Sequence, residues 1–444
     1  MGPRIFRFKG GVHPPEEKGL SREKPIREMA PPERVAVLLH QHTGAPCRPL
    51  VGEGEKVKTG QKIGDVDAFI SAPVHAPITG VVEGIKSFVH PALGRPVDAV
   101  VIRREGEEEE RAEPLEGHSA DWASLPPERI REIVREAGIV GLGGAAFPTH
   151  VKLSPPEPVD TVIGNGCECE PYLTADHRIM LERPEAVVEG MRIVMHTVGA
   201  RRGLIGVEDN KPDAAEALRK CLSQHDDVEV VLLPTKYPQG SEKHLIKALT
   251  GREVPPGGLP FHVGVVVQNV GTLAAIRDAV VEGKPLISRV VTVTGRGVKE
   301  PSNVEVRIGT LFGEVIEFCG GLAGEAGKVI SGGPMTGVAQ ASLEVPVVKG
   351  TSGILVMPKA EVKVEEGGPC LNCGRCVDAC PMGLVPAIIA LYAEKGRLED
   401  CEAWGAMDCV ECGSCSYVCP SRRPLVHWLK LVRAELAARR RAGK

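Results

Sequence analysis

Aromatic side chains are scarce in this chain of 444 residues, at 3%, so its cores have to be built from aliphatic side chains. No stretch approaches the roughly 18 consecutive apolar residues of a membrane-spanning helix, and the beginning, MGPRIFRFKGG, has too few apolar residues for a secretory signal. A soluble chain is expected. Basic excess is also missing: 54 Lys and Arg against 58 Asp and Glu leave a formal charge of −4, which excludes the electrostatic footprint of a nucleic-acid binder. With no export signal, a disulfide framework is not expected either. The 14 cysteines therefore point to metal or redox use.

What the chain does have is 52 Gly and 37 Pro, the mark of many turns and short strands, and enough length for about three domains at roughly 150 residues each. From Pro49 to Ile85, short alternating apolar runs separated by Gly and Pro read as a compact all-β unit that resembles a lipoyl/biotinyl-type hammerhead. A swinging-arm carrier presents a lysine at the hairpin tip. Asp65-Val66-Asp67-Ala68-Phe69 has none, so the unit is expected to prop or dock. The acidic run Glu105 to Glu110 reads as a solvated linker near a domain boundary.

From Pro126 the pattern becomes alternating helix and apolar strand (ERIREIVREAG, DTVIGNG, PEAVVEGMRIVMHTVG, RGLIGVED, DAAEALRKCLSQ, VEVVLLP), the sequence mark of an α/β sheet with crossover helices. RVVTVTGRGVKEPSNVEVRIGT followed by LFGEVIEFCGG, two strands then a helix, suggests a β-grasp-like module. The tail from His427 to Lys444 is helical and basic and reads as a solvated terminus.

Cys370, Cys373, Cys376 and Cys380-Pro381 have the C-x₂-C-x₂-C-x₃-C-P spacing, repeated at Cys409, Cys412, Cys415 and Cys419-Pro420. Zinc has no use for a third cysteine at that spacing or for the trailing Cys-Pro, so two 4Fe-4S clusters are expected. In two-cluster ferredoxins the fourth cysteine crosses to the other cluster. Cys370, Cys373, Cys376 and Cys419 are therefore assigned to one cluster, and Cys409, Cys412, Cys415 and Cys380 to the other. Cys47, Cys221 and Cys319 read as small hydrophobes, and Cys401 has no place in the spacing.

In GIVGLGGAAFPTHVKL, Gly141, Gly143 and Gly144 allow backbone N–H groups close to a phosphate or ring, but Ala146 stands where a dinucleotide fingerprint has its third glycine and the loop follows a helix. On spacing alone, a ligand loop and a tight turn are equally open. Here the chain resembles a family. G-x-G-G-A-x-F-P-T-x-x-K, then GNGCECEPYLTADHR, YPQGSEKHLIKALTGREVPPGGLP and QNVGTLAAI, in that order, look like the flavoprotein subunit of respiratory complex I and its hydrogenase relatives. FKGGVHPPEEK, QHTGAPCRPLVGEGEKVKTGQKIG, SAPVHAPITGVV and the two-cluster tail resemble the C-subunit family of the Rnf complex, ferredoxin:NAD oxidoreductase, over nearly the entire chain.

The resemblance implies that Gly141, Gly143, Gly144, Lys152, Asn165 and Asn269 line FMN, that Phe147 stacks on the adenine of NADH, and that Glu168, Glu170 and Glu242 face the dinucleotide. Carboxylates accept from ribose hydroxyls and repel a 2′-phosphate, so NAD(H) is expected over NADP(H). Cys167 and Cys169 stand where complex I has Asp and Ser, and Ser241 replaces the first of two glutamates. No catalytic side chain is expected. The implied fold is multidomain α/β and α+β: a β-rich hammerhead-like domain (1–118), an FMN/NADH-binding α/β domain like the complex I flavoprotein (119–287), a β-grasp ligand-binding domain (288–364), an α-helical two-cluster ferredoxin-type domain (365–425) and a basic helical tail (426–444). The implied partners are the other subunits of the Rnf membrane complex, especially its ferredoxin-like B subunit, with ferredoxin as electron donor. The implied place is peripheral, on the cytoplasmic side of the membrane. A soluble flavo-iron–sulfur cobalamin reductase is one alternative; a flavin-free electron-relay adaptor is the other.

Overall fold

The computed structural model describes residues 5–106, 109–222, 227–363 and 366–442. Glu107 and Glu108 of the acidic run, Ser223 and Gln224 at the end of one expected helix, and the boundary expected between residues 364 and 365 lie outside the described residues, as do 1–4, 443 and 444. The chain is a mixed α/β protein built from several bodies.

At the centre are four parallel strands in the order Val228–Leu233, Arg202–Glu208, Thr161–Gly166 and Val265–Asn269. Both faces are covered. Val187, Met191 and Val194 of helix Pro184–Val198 and Leu273 and Ile276 of helix Val270–Glu282 pack on one side, and Leu245, Ile246 and Leu249 of helix Glu242–Thr250 on the other. Double-sided burial is why the strands read as continuous apolar runs instead of alternating ones. Helices Pro184–Val198 and Pro212–Lys220 begin on proline, whose missing N–H costs nothing there, and the first ends on left-handed Gly199.

The segment from Arg34 to Arg104 forms two antiparallel sheets, of four and three strands, closed over Val37, Ile63, Val74, Val82, Val100 and Ile102. The strand entering the lysine-free tip ends at Asp65, whose carboxylate accepts from Arg135 at 3.1 Å on the neighbouring helix Pro127–Glu136. This tip is docked, as expected of a prop. A six-stranded sheet follows, with Ser288–Thr294, Ser302–Arg307, Gly353–Pro358, Ala326–Ser331 and Val338–Gln340 packed under helix Phe312–Phe318 through Val291, Val304, Val315 and Ile316. Its edge strand is Ile26–Glu28, paired parallel to Ser302–Arg307. Residues 6–29 thus run outside the β-rich unit and tie other parts of the molecule together, which local periodicity could not foresee.

The cysteine-rich region is helical, and the basic tail is not simply solvated. Leu425, Leu429, Val432 and Leu436 of helix Leu425–Ala442 bury one stripe against helix Pro386–Glu394, while Arg439 reaches Glu399 at 3.0 Å. The basic residues mask this stripe when the sequence is read by charge alone. No described helix is long and apolar enough to cross a membrane.

Three bodies meet on Lys349. Its side chain is 1% exposed; the ammonium donates to Pro73 O at 2.7 Å in the β-rich unit and to Gly138 O at 2.6 Å beside the parallel sheet, and its amide donates to Gln41 Oε1 at 3.0 Å. Burial lowers the lysine to about 8. Replacing it with methionine keeps the volume but orphans two buried carbonyls, at a cost of about 2–4 kcal/mol. Lys349→Met should lower the thermal unfolding midpoint of the full chain by several degrees; an unchanged midpoint would mean that the junction contributes nothing.

Candidate functional site: a sheet switch point and two cysteine rings

The strand order carries the chain from Thr161–Gly166 outward through two strands, then back to the opposite side at Val265–Asn269. This is a topological switch point, where a crevice opens at the carboxyl ends of parallel strands. Asn165 and Asn269 are register partners at that edge. Asn165 Nδ2 donates to Gly240 O at 2.8 Å, and its Oδ1 accepts from Cys167 N at 3.1 Å. Asn269 caps helix Val270–Glu282 by accepting from Gly271 N and Thr272 N, and its Nδ2 donates to Asp176 Oδ2 at 2.7 Å.

The glycine loop lies against this edge. Leu142 N donates to Thr272 Oγ1 at 2.9 Å, and a Cβ on Gly143 would touch Asn269 at 3.4 Å. Gly144, in the left-handed region at φ +103°, has open space where a side chain would stand. Phe147, half-buried, closes the loop by accepting from Gly141 N through its carbonyl at 2.9 Å. Lys152 ends the short helix Thr149–Lys152 with its ammonium on Glu242 Oε1 at 2.7 Å and Val267 O at 3.1 Å. The expected glycines, Phe147, Lys152, Asn165, Glu242 and Asn269 are therefore brought together.

Glu168 and Glu170 carry bonds of their own. Glu168 accepts from Asp176 N and His177 N at the start of helix Ala175–Glu182, where a carboxylate offsets the helix dipole. Glu170 accepts from Met335 N, Thr336 N and Thr336 Oγ1 of the turn beyond Ser331. Each carboxylate keeps acceptor capacity beyond those bonds.

Residues that the sequence did not single out complete the edge. Lys18, 5% exposed, places its three N–H bonds on Glu168 O, Glu170 O and Leu173 O at 2.8, 3.0 and 2.6 Å. FKGGVHPPEEK carries it, but no local signal shows which loop it grips. Asp176 sits between Asn269 and Glu168; burial first, then the Glu168 charge, pushes its carboxyl up to about 7.

The cysteines form two rings. Cys370, Cys373, Cys376 and Cys419 line one cavity of about 170 Å³, with Cys370 and Cys373 at the surface. Cys380, Cys409, Cys412 and Cys415, none of them exposed, line a smaller one. This is the crossed pairing that the spacing suggested. Four cysteines around one cavity, twice over, are donor sets that fit 4Fe-4S clusters. The residues here fit a flavin: the space beside Gly144 is open, and buried side-chain amide nitrogens of Gln239 and Gln268, adjoining Gly240 and Asn269, have no partner within the protein.

Fold and site define a multidomain α/β protein with a ligand crevice at a parallel-sheet switch point and two four-cysteine rings. Four family models match it: the Nuo51 FMN-binding domain over residues 134–278, the RnfC barrel sandwich hybrid domain over 6–107, the SLBB domain over 290–339 and a 4Fe-4S dicluster domain over 369–422. The C subunit of the proton-translocating ferredoxin:NAD(+) oxidoreductase complex of Clostridium ljungdahlii is 49% identical over 96% of this chain and 93% of its own length. The C subunit of the Na(+)-translocating complex of Acetobacterium woodii is 48% identical over 98% of each. A NAD+-reducing [NiFe]-hydrogenase in the air-oxidized state shares the fold, with a TM-score of 0.52 at 22% identity over 71% of this chain and 64% of its own. The chain belongs to the family of C subunits of ion-translocating ferredoxin:NAD(+) oxidoreductase complexes.

Asp176 yields a prediction independent of any cofactor. Its carboxyl is raised above the ordinary 3.8 to about 7, so the native chain holds a proton that the unfolded chain releases. That contribution to stability is complete below about 4 and is lost as pH rises through about 7. Asp176→Asn should flatten the fall of the unfolding midpoint between about pH 4 and 7; an unaltered slope would remove Asp176 as its source.

Proposed function

We propose that this chain is the peripheral, dinucleotide-handling subunit of a membrane ion-translocating electron-transport complex, a ferredoxin:NAD⁺ oxidoreductase. Its cofactors are FMN and two 4Fe-4S clusters, and its substrate is NAD(H). When bound, FMN exchanges an electron pair with the nicotinamide and passes electrons singly, and the clusters carry them one at a time. The observation that carries the reading is the coexistence, in one chain, of the crevice at Asn165 and Asn269 with two crossed four-cysteine rings.

The protein's own residues bind and position. Gly141, Gly143 and Gly144 keep side chains off the ring face, Asn165 and Asn269 offer amides at the sheet edge, and Lys152 supplies a positive charge that Glu242 balances at 2.7 Å. Phe147 borders the loop as the surface for adenine. Glu242 remains the carboxylate best placed beside Lys152 to meet a ribose and to disfavour a 2′-phosphate. The finer assignments belong to the same reading: a hammerhead-like domain to about residue 118, a flavoprotein-like α/β domain to 287, a β-grasp domain to 364, a ferredoxin-type domain to 425 and a tail to 444. The complex's ferredoxin-like B subunit as neighbour, ferredoxin as donor and the cytoplasmic membrane face complete it.

Anaerobic reconstitution with iron, sulfide and FMN, followed by absorbance titration, tests this. NADH should bleach flavin and cluster bands and NADPH should not, and Cys409→Ser should reduce iron from about eight to about four per chain. Iron without flavin and without response to NADH would favour the relay adaptor.

A further inference from the structure

Between the crevice and the inner cysteine ring lies a buried knot of several chain segments. Tyr237, 3% exposed, pairs through its backbone with Val12 and donates its hydroxyl to Cys412 O at 2.7 Å. Met335 and Cys169 pack beside it with Cys412. The turn carrying Met335 belongs to the six-stranded sheet, yet it is not held there by that sheet alone. Glu170 reaches across from the sheet edge and takes three bonds from it: Met335 N at 2.6 Å, Thr336 N at 3.1 Å and Thr336 Oγ1 at 3.0 Å.

Two close approaches show that the turn is clamped from both sides. A Cβ on Gly333 would lie 2.2 Å from Glu170 Cγ, so only glycine lets the carboxylate in. On the far side, a Cβ on Gly413, one residue from Cys412, would lie 2.8 Å from Met335 O. The turn is therefore wedged between Glu170 and the loop of the inner ring. Lys18 fixes the other end of the wedge by gripping the carbonyls of Glu168, Glu170 and Leu173. Burial raises the Glu170 carboxyl, and the three donors counter that rise.

We propose that Glu170 is a positioning residue that locks the Met335–Thr336 turn over the cysteine loop at Cys412–Gly413 and so shields the inner cluster, held by Cys380, Cys409, Cys412 and Cys415, from water. This rests on the cluster reading above and goes beyond it, because it gives Glu170 a partner other than the dinucleotide and sets the turn of the six-stranded sheet against the loop that carries Cys412. Shielding matters because solvent exposure and hydrogen bonds at the sulfurs set the potential of such a cluster; water favours the more highly charged reduced form. Opening the turn should raise the inner potential and leave the outer one, 370–376 with 419, where it was.

The test is an EPR-monitored redox titration of the full chain carrying its clusters, as wild type, Glu170→Ala, Glu170→Gln and Thr336→Val. Expected is an upward shift of one cluster in Glu170→Ala, a smaller shift in the same direction in Thr336→Val, and a near-wild-type value in Glu170→Gln, whose amide oxygen still accepts from both backbone N–H groups. The unmoved outer cluster reports that the variants are folded. Equal shifts in Glu170→Ala and Glu170→Gln would overturn the latch in favour of charge alone. Unchanged potentials with weakened NADH binding in Glu170→Ala would overturn it in favour of a dinucleotide contact. A wild-type chain that takes up no clusters would instead sink the functional reading beneath it.

Discussion

The ammonium of Lys18 and the three carbonyls it gathers are the constraint on which the site depends. A fully desolvated charge is costly, and here the cost is offset only because every N–H bond has a carbonyl partner within 2.6–3.0 Å. Those partners all lie in one loop, so satisfying the lysine fixes the path from Glu168 to Leu173. From that path follow the Glu168 carboxylate at the start of helix Ala175–Glu182 and the Glu170 carboxylate on the Met335–Thr336 turn. Lys18 comes from the segment that also supplies an edge strand to the six-stranded sheet. One early stretch of chain thereby staples crevice, sheet and cysteine region together.

Placement, more than side-chain chemistry, is what the molecule contributes. Single-electron transfer needs short gaps, and the gap between crevice and inner ring is closed by Tyr237, Cys169 and Met335 with backbone-to-backbone proximity at Gly413. Burial holds the thiols of Cys409 and Cys415 up to about 12, so metal uptake has to displace their protons. The outer ring, with Cys370 and Cys373 exposed, faces the surface; the inner ring has no exposed cysteine. The two rings differ chiefly in what covers them.

Much of this is legible in the sequence. The α/β alternation from Pro126, the strands of the β-rich unit and the two cysteine motifs are local patterns, and local patterns survive folding because each element buries a face that its own periodicity defines. The crossed cysteine pairing also follows from spacing, by the rule that the fourth cysteine of each motif ligates the other cluster. Glu168 and Glu170 read as dinucleotide contacts because resemblance transfers residue types. It does not show the bonds they make within the chain, such as those of Glu170 to the Met335–Thr336 turn of a separate sheet. The tail reads as solvated for a related reason: Leu425, Leu429, Val432 and Leu436 form a stripe that only the partner helix makes into a core.

By itself the sequence determined most of the elements, the presence of two iron–sulfur clusters and the family, all of which rest on short-range spacing or ordered motifs. Only the tertiary structure decided that Lys18 grips a loop 150 residues away, that Lys349 joins three bodies, that Asp176 lies against Asn269, and that Glu170 bonds to a turn 165 residues further on. The physical reason is the same in each case. A buried charge or amide must find partners, and which partners it finds depends on chain segments that meet only when the separate bodies pack.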